Sequence, residues 1–362
     1  MSRICIEGLA KSYGRGTVLG GIDLDVAPER LTVFCGPPGS GKSVLFRVIV
    51  GLEAPDAGRI LVDGADITPL PAARRTIGYV PQSFALFPHM SVFDNVAYPL
   101  KLQGVERAEI ARRVAQAAEL LRISKLLRKR PSELSGGEKQ RAALARGILK
   151  DARIFILDDP LVGLDFKLRE GLMEDLAEMR AELGATFLYA TSDPLEALMM
   201  ADDLVVLDGG RVADANRVDR LYAEPRHLRA AELVGFPRCN VIPGKLEGDI
   251  CTTALLRFRV VAERAPAPDV VVVIRPEQVV FADGAAHPPG APGGVGTVQL
   301  LEDLGAECVV HLAAAGETLV TTAPSRAVAH LDVGAPYPFV LRPRGISVFD
   351  RASGARIGSG DA

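Results

Sequence analysis

No run of the chain approaches the roughly 18 consecutive apolar residues that a membrane-crossing helix needs. The opening, Met1-Ser2-Arg3-Ile4, lacks the long apolar stretch of a secretory leader. The chain is therefore expected to be soluble by itself, with any membrane role reached through a partner. Charge of one sign is lacking too: the formal net charge is -3, with 24% charged residues. That balance argues against bulk nucleic-acid binding, which needs a basic face. There is no tryptophan, and the five cysteines, Cys5, Cys35, Cys239, Cys251 and Cys308, are odd in number and show no paired metal-ligand spacing. They read as free thiols of a reducing compartment, with Cys35 a core residue. No internal repeat of fixed period is present. What remains is a composition 48% hydrophobic over 362 residues, a length that allows a large core and two or three domains.

Residues 1–235 alternate strand-like and helix-like segments with glycines at the turns, the pattern of an α/β domain. Within it, residues 88–135 break the strand pattern, and residues 106–127 carry helical spacing with many charges, which predicts a helical insertion. At Gly235-Phe236-Pro237 the character changes. Residues 236–362 hold short β-branched runs at 270–274, 295–301 and 307–312, separated by Pro and Gly turns, which predicts a small all-β, barrel-like domain. Residues 285–294, rich in Pro and Gly, read as a surface loop.

Gly36-Pro37-Pro38-Gly39-Ser40-Gly41-Lys42-Ser43 fits the phosphate-loop pattern G-x-x-x-x-G-K-[ST], between an apolar strand at 31–35 and a helix at 43–50 closed by Gly51. The glycines let backbone N–H groups curl round phosphates at a helix start, which adds partial positive charge. Lys42 would reach the β- and γ-phosphates, and the Ser43 hydroxyl would hold Mg²⁺. A second glycine-rich stretch, Leu134-Ser135-Gly136-Gly137-Glu138, has the S-x-x-E spacing of a capping box, so a helix should begin there. Alone it is an ordinary cap. Beside a phosphate loop it reads as a second anion site, which makes sense if it serves another subunit's nucleotide.

In combination these motifs resemble the ATP-binding subunits of ABC transporters over essentially the whole chain. The resemblance implies an α/β P-loop NTPase domain of the ABC ATPase type with a helical subdomain at about 88–135, followed by an OB-like domain of the TOBE/MOP type. It implies ATP and Mg²⁺ as cofactors. By position, Tyr13 matches the aromatic that stacks on adenine. Residues Gly36, Pro37, Pro38, Gly39, Ser40, Gly41, Lys42, Ser43 and Val44 match the phosphate cradle. Gln82, in Tyr79-Val80-Pro81-Gln82, matches the loop glutamine that touches Mg²⁺ and the attacking water and links the site to the membrane subunit. Ser135, Gly136, Gly137 and Glu138 match the signature, and Leu164-Asp165 the loop that crosses the dimer interface. Phe236-Pro237 with Asn240, Ile274-Arg275-Pro276-Glu277 and Leu304-Gly305-Ala306-Glu307 resemble the small β domain of importer ATPases of the maltose and glycerol-phosphate type, as does the segment 84–100. Related ATPases for polyamines, sulfate, molybdate or iron carry similar tails. Such a tail either strengthens dimer contacts or senses a small ligand.

The chain departs from the family at two positions. After the apolar run Ile154-Phe155-Ile156-Leu157, Asp158 is placed to hold Mg²⁺, but the residue that follows is Asp159 where the family offers Glu to polarise the attacking water. Losing one methylene withdraws the carboxylate by roughly 1 Å, a displacement that can cost about 10²-fold, unless a shifted backbone or a bridging water compensates. After the run 187–191 the family offers His-Asp, the histidine contacting the γ-phosphate; here Ser192-Asp193 stands instead. Losing one such donor typically costs about 2.7–4 kcal/mol. The helix start beyond is expected to be well made, with Asp193 as cap, Pro194 in the first turn and Glu196 completing a D-x-x-E box.

These departures leave the binding elements intact. The expectation is an importer ATPase subunit for a sugar, polyol or related solute, with catalytic positions Asp159, Gln82 and Ser192 and metal positions Ser43, Gln82 and Asp158. Its own site would turn over slowly, while its signature completes the site of a second, intact ATPase in a heterodimer. A homodimer is the other arrangement. Two transmembrane permease subunits and, indirectly, an extracytoplasmic solute-binding protein are the implied partners, nucleic acid is not, and the place implied is the cytoplasmic face of the cell membrane. The rival readings are a nucleotide-gated regulatory subunit without useful turnover, and a non-transport ABC protein acting on DNA or ribosomes.

Overall fold

The computed structural model describes residues 2–150, 152–164, 166–265, 267–282, 293–342 and 345–361. By its internal contacts the chain divides into two units, Met1–Ala215 and Asn216–Ala362. This division falls ahead of the change in composition at Gly235, because two short helices are counted with the strands that follow them.

The first unit opens with β1 (Ile4–Tyr13), β2 (Gly16–Val26), β3 (Leu31–Cys35), α1 (Lys42–Val50), β4 (Ala57–Val62), β5 (Ala65–Asp66) and β6 (Ile77–Val80). Next come α2 (Val92–Leu102), α3 (Arg107–Leu120), α4 (Gly136–Ile148), β7 (Ile154–Asp158) and α5 (Phe166–Leu183). It ends with β8 (Thr186–Thr191), α6 (Pro194–Met200), β9 (Asp203–Asp208) and β10 (Arg211–Arg217).

Two sheets share this unit. One is six-stranded in the order β10-β9-β3-β8-β7-β6, with β3, β6, β7, β8 and β9 paired in parallel. Its central strands β3, β7 and β8 are buried along their whole length. That burial explains why they read as continuous apolar runs rather than alternating ones. The other sheet, β2-β1-β4-β5, is antiparallel. The expected strand–helix alternation is thus interrupted at the start by a hairpin, β1–β2. α1 packs its buried face of Leu45, Phe46, Val48 and Ile49 into the same core, with Phe46 edge-on to Phe34 at 5.2 Å. Each such buried side chain contributes about 1.5–3 kcal/mol.

The helical insertion is present as α2 and α3, but the helix expected over 106–127 stops at Leu120. Arg122 adopts a left-handed backbone, φ 55°, and the chain passes into short 3₁₀ turns before α4.

The second unit begins with α7 (Val218–Ala223) and α8 (Leu228–Leu233). The strands are β11 (Asn240–Glu247), β12 (Ile250–Thr253), β13 (Arg257–Ala262), β14 (Asp269–Ile274), β15 (Val279–Phe281), β16 (Gly293–Asp303), β17 (Glu307–Ala314) and β18 (Glu317–Pro324). After α9 (Ser325–Val328) come β19 (Pro336–Leu341), β20 (Ser347–Asp350) and β21 (Arg356–Gly360). A closed barrel, β11-β12-β13-β21-β20-β14, accounts for half of the expected all-β domain. The rest is a second, five-stranded sheet, β15-β19-β16-β17-β18, which the barrel reading did not anticipate. Of the loop expected at 285–294, residues 285–292 lie outside the described residues, while Gly293 and Gly294 already belong to β16.

Candidate active site

Strand register brings three separated motifs to one edge of the six-stranded sheet. Cys35 pairs with Thr191 and Asp158 with Ala190, so β3, β7 and β8 end side by side. The carboxyl ends of adjacent parallel strands are where such sheets place ligands.

From β3 the chain turns through Gly36, Pro37, Pro38, Gly39, Ser40 and Gly41 into α1. A Cβ on Gly36 would lie 2.1 Å from the Leu207 carbonyl oxygen, and Gly41 has φ 102° at the N-cap with no side chain to cap the helix. Every helix start leaves N–H groups without intrahelical partners; here none is taken up by a capping side chain. Lys42 is buried and donates from Nζ to the carbonyl oxygens of Gly36 at 2.6 Å and Pro37 at 3.1 Å. Ser43 Oγ donates to Asp158 Oδ1 at 2.9 Å, and the Tyr79 hydroxyl donates to Asp158 Oδ2 at 3.2 Å. Val44 is half-buried against the core.

Asp158 is buried at the end of β7. Asp159 follows in a left-handed backbone, φ 49°, its N–H donating to the Ala190 carbonyl at 3.0 Å. Burial pushes the Asp159 carboxyl above its ordinary value and Asp158 adds to the rise, while Lys42 and Arg169 act against it. Ser192 is exposed at the end of β8. Behind it, Asp193 caps α6, accepting from Leu195 N at 2.8 Å and Glu196 N at 3.4 Å. The reciprocal half of the expected D-x-x-E box is missing. Glu196 turns inward and accepts from Thr191 Oγ1 at 2.7 Å and Tyr189 OH at 3.0 Å, because those two buried hydroxyls need an acceptor. The Asp193 N–H goes instead to Thr191 Oγ1 at 3.0 Å.

Gln82 lies beyond β6 on a groove of about 990 Å³ that also takes in Ser43, Arg47, Tyr79, Tyr98 and Asp158. Tyr13 ends β1, half-exposed, with its hydroxyl against the Glu53 carboxylate. On α4, Ser135 and Glu138 form the expected capping box: Glu138 N donates to Ser135 Oγ at 3.3 Å and Ser135 N to the Glu138 carboxylate at 2.8 Å. Gly136 and Gly137 form the first turn. Register thus joins the phosphate loop, Asp158, Asp159 and Ser192, while Gln82 shares the groove with Ser43 and Asp158. Asp165 lies outside the described residues.

A family model described as ABC transporter matches residues 19–162, and one described as TOBE domain matches residues 272–349. The sn-glycerol-3-phosphate import ATP-binding protein UgpC of Ruegeria sp. is 36% identical over 99% of both chains. The chain belongs to the ATP-binding proteins of ABC transporters. An uncharacterized ABC transporter ATP-binding protein of Bacillus subtilis, YurJ, is 35% identical over 88% of this chain and 90% of that one. Among solved structures, the ATP-binding cassette MJ0796, in a dimeric post-hydrolysis state bound to ADP and Pi, superposes with a TM-score of 0.55 at 26% identity. It covers 59% of this chain and 98% of its own.

This ABC ATP-binding protein is accordingly an ABC-type ATPase whose cassette binds ATP, of a family that dimerises and works with permeases. No helix among its described residues is long and apolar enough to cross a membrane. Two residues that shape its site gave no signal in the sequence. Arg169, on α5, donates to Asp193 Oδ2 at 2.7 Å and lies 3.5 Å from Glu196 Oε1. Arg146, on α4, donates to the carbonyl oxygens of Ala85 at 2.6 Å and Phe84 at 2.7 Å, in the loop that follows Gln82. Both are long cations whose partners are set by tertiary placement. Phe84 and Ala85 adopt positive φ, which neither residue type announces, so no local signal in the sequence pointed to the second.

Proposed function

We propose that the chain is the ATP-binding subunit of an importer for a sugar, polyol or glycerol phosphate, working at the cytoplasmic face of the membrane with a hydrolytically weak site of its own. The solute class rests on the likeness to sn-glycerol-3-phosphate import ATP-binding proteins and on the length over which they align. In this reading the Gly36–Ser43 cradle and Lys42 take the phosphates, and Tyr13 takes the base. Ser43, Asp158 and Gln82 offer hard oxygen donors suited to Mg²⁺. They include one carboxylate, so the ion would be held together with the nucleotide's phosphates, as is usual for Mg²⁺. Bound there, Mg²⁺ would neutralise charge developing on the phosphates. The groove beside Gln82 is where the permease subunits would engage.

One observation carries the slow-turnover reading: at the two places where hydrolysis needs reach, the side chains are short. Burial raises the basicity of Asp159, so what the shorter side chain removes is reach. The Ser192 hydroxyl is exposed and hydrogen-bonds to nothing among the described residues. Meanwhile Ser135, Gly136, Gly137 and Glu138 keep a well-formed helix start. The chain is then suited to a heterodimer, its signature serving the ATP of a partner that supplies Glu and His.

Steady-state ATPase turnover tests this. The purified chain should bind ATP yet hydrolyse it slowly, and Asp159→Glu with Ser192→His should raise turnover by about 10²-fold. A wild-type homodimer whose rate the double replacement cannot improve would overturn the reading. Co-purification from membranes should bring down a second, intact ATPase together with the permease.

A further inference from the structure

Tyr13 is attached to the molecule by more than its strand. Its backbone closes the β1–β2 hairpin, opposite Gly16, and its ring carries the Lys11 ammonium 5.5 Å from the ring centre. Its hydroxyl meets the carboxylate of Glu53, which lies just past Gly51, the residue that ends α1. The other oxygen of Glu53 accepts from Arg47 Nε at 2.5 Å, and the Glu53 N–H donates to the Arg47 carbonyl at 3.3 Å.

The segment after Glu53 is sewn to the same end of β1. Lys11 Nζ donates to the Ala54 carbonyl at 2.7 Å, Ser12 N to Asp56 Oδ2 at 2.7 Å, and Asp56 N to the Ala10 carbonyl at 2.8 Å. Glu53 is thus a joint with two sides: one oxygen holds Arg47 in the last turn of α1, the other holds the phenol. At the opposite end of α1 stand Lys42 and Ser43. The helix is a rigid spacer, and whatever is fixed to its far end is fixed relative to the phosphate loop.

We propose that Glu53 is a positioning residue for the nucleotide's base. By anchoring the Tyr13 hydroxyl to α1, it sets where the aromatic ring stands relative to the phosphate cradle and so strengthens base-dependent affinity. This rests on the reading that Tyr13 stacks on adenine. A ring held by its backbone alone would have to be ordered when the base arrives, and that ordering cost would be subtracted from affinity. With the hydroxyl anchored, the cost is met in folding.

The test is the affinity of the full chain for ATP and, separately, for inorganic tripolyphosphate, which has no base. Tyr13→Phe keeps the ring and removes the anchor, and Glu53→Ala removes it from the other side. Each should weaken ATP binding by about three- to tenfold. The double replacement should weaken it no further than either alone, and Glu53→Gln, which keeps an acceptor, should recover part of the loss. Tripolyphosphate affinity should be unchanged throughout. Tyr13→Ala, which removes the ring, should cost about tenfold or more in ATP affinity.

If Tyr13→Ala weakens ATP binding while Tyr13→Phe and Glu53→Ala match the wild type, the anchor is wrong and the stacking reading stands. If Tyr13→Ala leaves ATP binding unchanged, the stacking reading fails and takes the anchor with it. If Glu53→Ala weakens tripolyphosphate as much as ATP, Glu53 acts on the phosphate loop through α1 instead, and the proposal is overturned. Because Tyr13→Phe is a mild change, these readings survive even where Glu53→Ala impairs folding.

Discussion

Burial lowers the Lys42 ammonium below its ordinary value of 10.5, with Cys35, Asp159 and Asp158 pulling the other way. A polyanion in the cradle would raise it again, since a nearby opposite charge favours the charged form. The sign follows from those two states. Affinity for ATP is complete while Lys42 is protonated in the free chain and is lost as pH rises through its lowered free-state value. That window opens below 10.5. ATP binding measured from neutral pH upward should therefore fall early, the slope approaching about tenfold per pH unit. Lys42→Arg, which stays charged, should flatten the profile.

At the scale of elements, α4 is a rod with side-chain contacts at both ends. Its start carries Ser135 and the capping box; near its other end Arg146 holds the carbonyl oxygens of Phe84 and Ala85 and lies 5.8 Å from the centre of the Phe87 ring. Removing it with Arg146→Ala should release the segment after Gln82, visible as faster amide exchange there while the capping box stays protected. How much of this was legible in sequence depended on range. The phosphate loop, the β7 run and the Ser135 box are local patterns, written in neighbouring residues, and each was readable. The end of α3 was not, because Arg122 gives no sign of a left-handed backbone. Neither was the inward turn of Glu196. D-x-x-E spacing favours a return bond to the cap, and the competing hydroxyl donors are in place only when Tyr189 and Thr191 are buried beside Glu196. Tyr79 likewise reaches Asp158 only because β6 lies next to β7.

At the scale of the whole molecule, each unit encloses a core of its own. In the first, Phe34, Phe46, Ile156 and Leu188 belong to one cluster; in the second, Val272, Val310, Phe339 and Val348 belong to another. A fragment of residues 216–362 should therefore unfold cooperatively with a β-rich circular dichroism spectrum, and a fragment of residues 1–215 should retain ATP binding. Composition pointed to two domains and to the all-β character of the second. It could not separate a barrel from a barrel plus a further sheet, because strand runs of similar length and turn chemistry serve both, and pairing is decided between residues far apart in sequence.

The turn at Asp159 bears on stability as well as chemistry. A left-handed backbone, φ 49° here, is a conformation that aspartate as a residue type enters more readily than glutamate, because a short polar side chain is able to bond locally in it. The residue that would best reach an attacking water is thus the one this bend tolerates less. The chain carrying Asp159→Glu should be both the faster hydrolase and the less thermostable protein, by about 1 kcal/mol. If Asp159 acts in hydrolysis as proposed, reach and backbone comfort at this bend favour different side chains.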